Sequence, residues 1–473
     1  MRPWLTRTLI VATAFAACWL GAVWYWRDTH RMPGADDLLI YLLLLPLMLL
    51  LLVWLAVWTG RKLMAAAVVG ATAASADAAP AASPAPGPAA PPPLTVIAAA
   101  LRLPHGDTAV QLADAILARR TSLELDPELL NDDGYPVLTG RIADVDSATQ
   151  EEDMTDWLAR HHPYASWIDE QWRAIALGSE IAARLALELA AHPALPPYLD
   201  AAAAGKPLPP LPMLHVVALL PPEWDAPVRQ AAHDWLRQLV VRTGWPDARI
   251  APALAPTLAG TGQHPLPLIG QLARQAGTAE QPLLCLLVAC HSRIGQDSVQ
   301  AWADRFILLD SAHPNGRIPG EGAAGLLLAD QAQAALFDRE DAPLLHPASN
   351  ALRANAFDTH PRADVHLLAE MASQALAAAG VAPAAVSVLT SDSDQRAASM
   401  TEVMGMASAL LPELDPGSQV LNVTAACGDA GVVSTVAALV LAAQQVEAGA
   451  GPALCVTNLD PFHRGAVLLT APV

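Results

Sequence analysis

Asn315-Gly316-Arg317-Ile318-Pro319-Gly320-Glu321-Gly322-Ala323-Ala324-Gly325-Leu326-Leu327-Leu328 runs from a glycine-rich segment holding one glutamate into an unbroken apolar run. Ala323 to Leu328 is too short and too apolar for an amphipathic helix and reads as a buried strand. Similar strands are expected on both sides, at Leu94 to Leu101, Pro136 to Ile142, Leu214 to Leu220 and Pro282 to Cys290. Later ones are expected at Val386 to Thr390, Val420 to Val423, Ala453 to Thr457 and Ala466 to Leu469. Between them, helical periodicity marks Thr108 to Arg120, with Val110, Leu112, Ile116 and Leu117 on its apolar face. Further helices are expected at Trp172 to Ala191, Pro227 to Arg242, Leu266 to Gln275, Val365 to Ala379, Met400 to Leu411 and Asp429 to Glu447. Apolar strands alternating with helices predict an α/β fold whose sheets are covered on both faces.

The order of these motifs resembles a β-ketoacyl synthase, of the thiolase fold. The opening strand, helix and short strand of Leu94 to Ile142, and the helix and strand of Leu266 to Ser292, are similar to the family's. The glycine-rich segment at Asn315 to Leu328 resembles its G-x-x-x-G-E-G-A-G signature. Ser391 to Leu410 and Leu421 to Leu441 resemble the segments that carry its histidines and lysine. The resemblance covers residues 94–473 and implies a layered fold of two related halves, about 94–330 and 331–473. It also implies a homodimer.

The family's chemistry needs a cysteine thiolate at a helix N-terminus, two histidines and a supporting lysine. By the resemblance, the nucleophile falls in Gly260-Thr261-Gly262-Gln263-His264-Pro265, which has no cysteine. The first histidine falls in Thr390-Ser391-Asp392-Ser393-Asp394, where none stands. The lysine falls near Thr424-Ala425, and the second histidine falls at Gly428-Asp429, where a carboxylate replaces it. The remaining candidates for catalysis are Cys427, Asp429 and His264. Cys427 precedes a helix, where a thiol pKa falls, but free cysteine is more often a packed small residue. Asp392, Glu402 and Asp429, with Asp394, are candidates for a ligand-binding acidic floor that takes a cation or basic side chain. The competing reading makes them exposed loop residues and one helix-capping glutamate. His161-His162 and Glu151-Glu152-Asp153 lack metal-ligand spacing and read as a solvated loop, so no metal and no cofactor is expected. Cys285 and Cys290, five apart in a strand, point to opposite faces as core residues.

Upstream of this domain, Thr8 to Trp26 and Leu38 to Trp58 are apolar almost throughout. Each is close to the roughly 20 residues that span a hydrocarbon core. Tryptophans close both runs, as at a headgroup interface. Residues 1–64 are therefore read as a two-helix membrane anchor, and 65–93, rich in Ala and Pro, as a tether. Arg2, Arg7, Arg61 and Lys62 outside the spans, against Arg27 and Arg31 between them, place both ends in the cytosol of a bacterial inner-membrane protein. The net charge of -19 disfavours nucleic acid as a partner. Five scattered cysteines fit a reducing compartment.

These readings predict a membrane-tethered, non-catalytic scaffold or binding module with protein partners, such as an accessory of an envelope-spanning assembly like a type VI secretion system. The alternatives are a condensing enzyme acting on acyl carrier protein thioesters at the membrane, and an acyl-ligand sensor.

Overall fold

The computed structural model describes residues 91–145, 147–252, 264–278, 282–339, 341–354, 356 and 365–472. The two expected membrane spans, and the tether as far as residue 90, lie outside the described residues. Among the described residues, no helix is long and apolar enough to cross a membrane.

The glycine-rich segment leads into β6 in a set of twelve strands: β1 (Leu94–Arg102), β2 (Glu124–Leu130), β3 (Pro136–Thr139), β4 (Leu214–Leu219), β5 (Leu284–Ser292), β6 (Glu321–Ala329), β7 (Leu344–Leu345), β8 (Ser349–Leu352), β9 (Val388–Ser391), β10 (Val420–Asn422), β11 (Ala453–Thr457) and β12 (His463–Thr470). The main sheet runs β10-β9-β11-β12-β7-β1-β6-β5-β4, with β8 added to β12. Its two ends are alike. At one, β4 lies parallel to β5, which is antiparallel to β6. At the other, β9 lies parallel to β11, which is antiparallel to β12. The two-residue β7 pairs with both β1 and β12 and joins the two ends.

Seven helices build the three largest apolar cores among the described residues. They are α1 (Ala109–Leu117), α2 (Asp169–Ala190), α3 (Ala226–Arg242), α4 (Pro265–Thr278), α5 (His366–Ala379), α6 (Ala397–Leu410) and α7 (Val432–Glu447). The central core gathers α1, α4 and α7 with inward residues of both ends of the sheet, including Leu287, Leu326, Val388 and Val467. A second core packs α2 and α3 on the outer face of β4, β5 and β6. A third packs α5 and α6 on the outer face of β9, β11 and β12. Helices on both faces of a mixed sheet make a layered α/β fold. Cys285 belongs to the central core and Cys290 to the second, as their five-residue spacing in a strand requires.

Glycines set how closely these layers approach. A Cβ on Gly325 would lie 2.7 Å from the Leu287 carbonyl oxygen and 2.7 Å from the Leu185 side chain. A Cβ on Gly320 would lie 2.7 Å from the backbone of Gly428. There Pro319 pairs with Asp429, and Gly140 pairs with Gly320. The Gly428–Asp429 backbone is thereby fixed against the start of β6.

Several local expectations are corrected. In α1 the buried residues are Leu112, Ala113 and Ala115, while Val110 and Leu117 face out. The helix expected from Asp429 begins at Val432, because Gly428 and Gly431 take positive φ and Asp429 is held in the bridge to Pro319. The segment holding Glu152, Asp153 and His161 is a helix, Ser147–His161, rather than a loop. β2 was not legible because its sequence, with Pro127 and three acidic residues, opposes a strand reading.

Gly325→Val places branched carbons against the Leu287 carbonyl and α2. It is expected to destabilise the chain by about 3 kcal/mol, measured by urea unfolding. Wild-type stability would contradict the close packing of β6.

Candidate functional site

Three adjacent parallel strands, β10, β9 and β11, end together at Asn422, Ser391 and Thr457. The segments leaving them carry most of the candidate residues. Asp392 follows β9 directly and is buried. Its Oδ1 accepts from the backbone N–H of Asn458 (2.8 Å) and Leu459 (3.2 Å). Its Oδ2 accepts from the hydroxyls of Thr435 (2.7 Å) and Thr457. Burial pushes this carboxyl up, and the four hydrogen bonds oppose that shift.

Glu402 projects from α6 and is wholly buried. Its Oε1 accepts from Arg464 Nε (2.7 Å) and from Arg353 (3.1 Å). Its Oε2 accepts from the Asn458 amide (3.2 Å). Asn458 thus joins Glu402 to Asp392. Asp394 is paired with Arg396 at 2.6 Å. Glu321, at the start of β6, is bound by Arg173 Nε (2.9 Å), the Ser292 hydroxyl (2.9 Å) and the Ile142 N–H (2.8 Å).

Asp429 stands in a separate network. Its carboxylate accepts from Arg317 (3.2 Å) and from the Gly431 N–H (2.8 Å), and Arg293 lies 3.9 Å away. Burial works against its ionisation, but Arg293 and Arg317 outweigh it and hold the carboxyl below the usual range. Arg293 also pairs with Glu223, which in turn meets His291. Asp392, Asp394, Glu402 and Asp429 are all buried, so the exposed-loop alternative does not hold. Each already has its own donors or cations.

His264 lies immediately before α4. Its Nδ1 accepts, at 3.4 Å, from the Leu266 N–H, which leaves the proton on Nε2 facing the Thr457 hydroxyl at 3.3 Å. Thr457 in turn donates to Asp392. The His264 and His463 rings stack with centroids 3.7 Å apart. Burial, with His463 adding to it, holds the His264 pKa well below its ordinary value. His463 falls to about 4, again chiefly through burial. The first turn of α4 has little left to polarise a ligand. Pro265 and Pro267 have no N–H, and His264 takes that of Leu266.

The chain resembles a β-ketoacyl synthase from Burkholderia phymatum STM815 with TM-score 0.54 and 11% identity, over 81% of this chain and 100% of that one. It resembles the type II polyketide ketosynthase AntDE, solved with the acyl carrier protein AntF, with TM-score 0.52 and 12% identity, over 81% of this chain and 100% of that one. It also resembles the oxazolomycin ketosynthase domain KS7 of Streptomyces albus JA3453, with TM-score 0.52 and 14% identity, over 80% of this chain and 76% of that one. The chain has the ketosynthase fold. No protein-family model and no curated protein sequence matches it.

In this ketosynthase-like chain, the weak thiol candidate is corrected. Cys427 ends a five-residue helix, Val423–Cys427, and its buried thiol is pushed up to about 12. Burial raises Cys285, Cys290 and Cys455 equally. The glycine-rich part of the nucleophile stretch, Gly260 to Gln263, lies outside the described residues. His161 caps the end of its helix by bonding the Trp157 carbonyl (2.9 Å), and His162 meets Asp234 (3.2 Å). Among the described residues, no group of three or more ligating side chains is placed to hold a metal.

Arg464, Arg353, Arg317, Arg293 and Asn458 complete these networks and were not singled out from sequence. Only Arg464 left a signal, a charged residue near the start of a mostly apolar strand.

His105, His192, His215, His264, His291, His346 and His463 all have lowered pKa values, chiefly through burial. The folded state therefore resists protons that the unfolded chain accepts below 6.5. Stability is full above that value and falls as pH drops toward about 4. The raised carboxyls of Asp392 and Glu170 act in the opposite sense but are fewer. The melting temperature is expected to be lower at pH 5 than at pH 7.5. A higher value at pH 5 would show that the histidines are not held neutral.

Proposed function

We propose that this ketosynthase-fold protein does not condense acyl thioesters and works by binding, tethered to a membrane through its N-terminal segments. The observation that carries the reading is the pairing of Asp392, Glu402 and Asp429 with their own donors and arginines. By the resemblance, Asp392 and Asp429 stand at or beside the positions of the two histidines, and Ala425 near that of the lysine. A condensing site needs hydrogen-bond donors or cations for the developing oxyanion and carbanion. A carboxylate whose donors are already engaged supplies neither. The described thiols, near 12, hold almost no thiolate at neutral pH.

The membrane part of the proposal rests on the two apolar runs and on their flanking tryptophans and basic residues. An inner-membrane location with the large domain in the cytosol follows from the same charge bias. A homodimer and a protein partner belong to this proposal, and an envelope-spanning assembly would suit a tethered module. An acyl carrier protein is the second candidate partner, because one structure of similar fold is a ketosynthase in complex with its carrier protein.

The test is a condensation assay on the full chain, with acyl and malonyl thioesters of a carrier protein, beside Cys427→Ala. No product is expected from either. Product formation by the wild-type chain would overturn the non-catalytic reading, and its loss in Cys427→Ala would assign the nucleophile to Cys427.

A further inference from the structure

Four polar atoms in the segments that leave β9, β10 and β11, or pack on them, are buried without a hydrogen-bond partner from the described chain. They are Ser393 Oγ, Ser399 Oγ, Thr424 Oγ1 and Asn458 Oδ1. Their residues are at most 1% exposed. Such an atom costs about 1–3 kcal/mol when nothing satisfies it, so four in one place call for a cause.

The four belong to one locality. The Ser393 carbonyl accepts from the Ala425 N–H (3.1 Å), next to Thr424. The Ser399 carbonyl accepts from the Asn458 amide nitrogen (3.0 Å), which leaves the amide oxygen over. Asn458 and Ser393 are joined through Asp392, since Asn458 N–H donates to the residue preceding Ser393. The cluster therefore lies beyond the carboxyl ends of three adjacent parallel strands, where open α/β sheets bind their ligands. His463 Nδ1, buried and unpartnered in the same β11–β12 region, flanks it.

Charge narrows the ligand. Asp392 has four donors, Glu402 has Arg464 and Arg353, and Asp394 has Arg396. No carboxylate is left over for a cation, and the nearby arginines are occupied by carboxylates. What remains is three hydroxyls, which donate and accept, and one amide oxygen, which accepts. The geometry points to a buried binding site for a small neutral molecule bearing both hydrogen-bond donors and acceptors, such as a short polyol or a primary amide. The chain's own arginines already fill the place of the cation or basic side chain expected from the sequence, and the site is a poor match for an acyl chain. The site does not depend on the membrane proposal or on the absence of condensation.

The experiment follows thermal unfolding of the full chain against erythritol, glycerol and acetamide, with octanoate and ethylamine as charged controls. The double variant Ser399→Ala/Thr424→Val removes two of the hydroxyls with little change of shape. A neutral probe is expected to raise the wild-type melting temperature saturably, and the double variant is expected to lose at least half of that shift. Without probe, the variant is expected to melt at or above the wild-type temperature, because its lost hydroxyls had no partners. Thr424→Ser, which keeps the hydroxyl, retains the shift and serves if the double variant fails to fold. Equal shifts in wild type and double variant, a flat response to all three neutral probes, or a saturable response to octanoate or ethylamine instead would each overturn the proposal. Condensing activity beside a neutral-probe shift would overturn the proposed function and leave this site standing.

Discussion

Twelve residues of the helix Val432–Glu447 are buried, and from Val433 to Ala443 it has no face for water. A helix apolar on every side must be enclosed, and here both ends of the main sheet enclose it through the central core. Each fully buried Val or Leu on it is worth about 1.5–3 kcal/mol. That constraint also sets the site. The glycine-bearing bend before the helix holds Asp429 against Pro319, and Thr435 in the helix reaches Asp392. One element therefore positions carboxylates in two separate networks.

Electrostatics then decides what those carboxylates can do. A buried charge is tolerated only with partners, and breaking such a pair is far costlier than replacing it whole. Asp392, Glu402 and Asp429 meet this demand with hydroxyls, backbone N–H groups and arginines drawn from distant parts of the chain. The groups that stabilise them are thereby committed. A reacting oxyanion would have to compete with them, and the α4 N-terminus, limited by two prolines and His264, offers little help. The fold is that of a ketosynthase, while the carboxylates at its strand ends are held by the chain's own donors and arginines.

Much of this was legible in sequence, and the reason is periodicity. Leu284 to Cys290 of β5, Gly322 to Ala329 of β6 and Val436 to Ala443 of α7 are unbroken apolar runs, and such runs leave few alternatives. The glycine-rich entry to β6 pointed to the ketosynthase fold because close packing at Gly320 and Gly325 admits no side chain. β2, with Pro127 and three acidic residues, and the helix Ser147–His161 were missed because their composition is polar and their burial depends on tertiary contacts. The carboxylates of the site were found as residues but not as a structure. Their partners lie far away in sequence: Arg464 is 62 residues from Glu402, and Arg317 is 112 from Asp429. No local pattern encodes such pairs.

The most direct measurement of whether the reactive centre has been replaced is the intact mass of the full chain after incubation with excess acyl thioester at neutral pH. The account predicts an unmodified mass, because the described thiols are buried with pKa values near 12 and Gly260 to Pro265 contains no cysteine. A stoichiometric acyl adduct, removed by hydroxylamine and mapped to Cys427 or to the segment preceding α4, would contradict it.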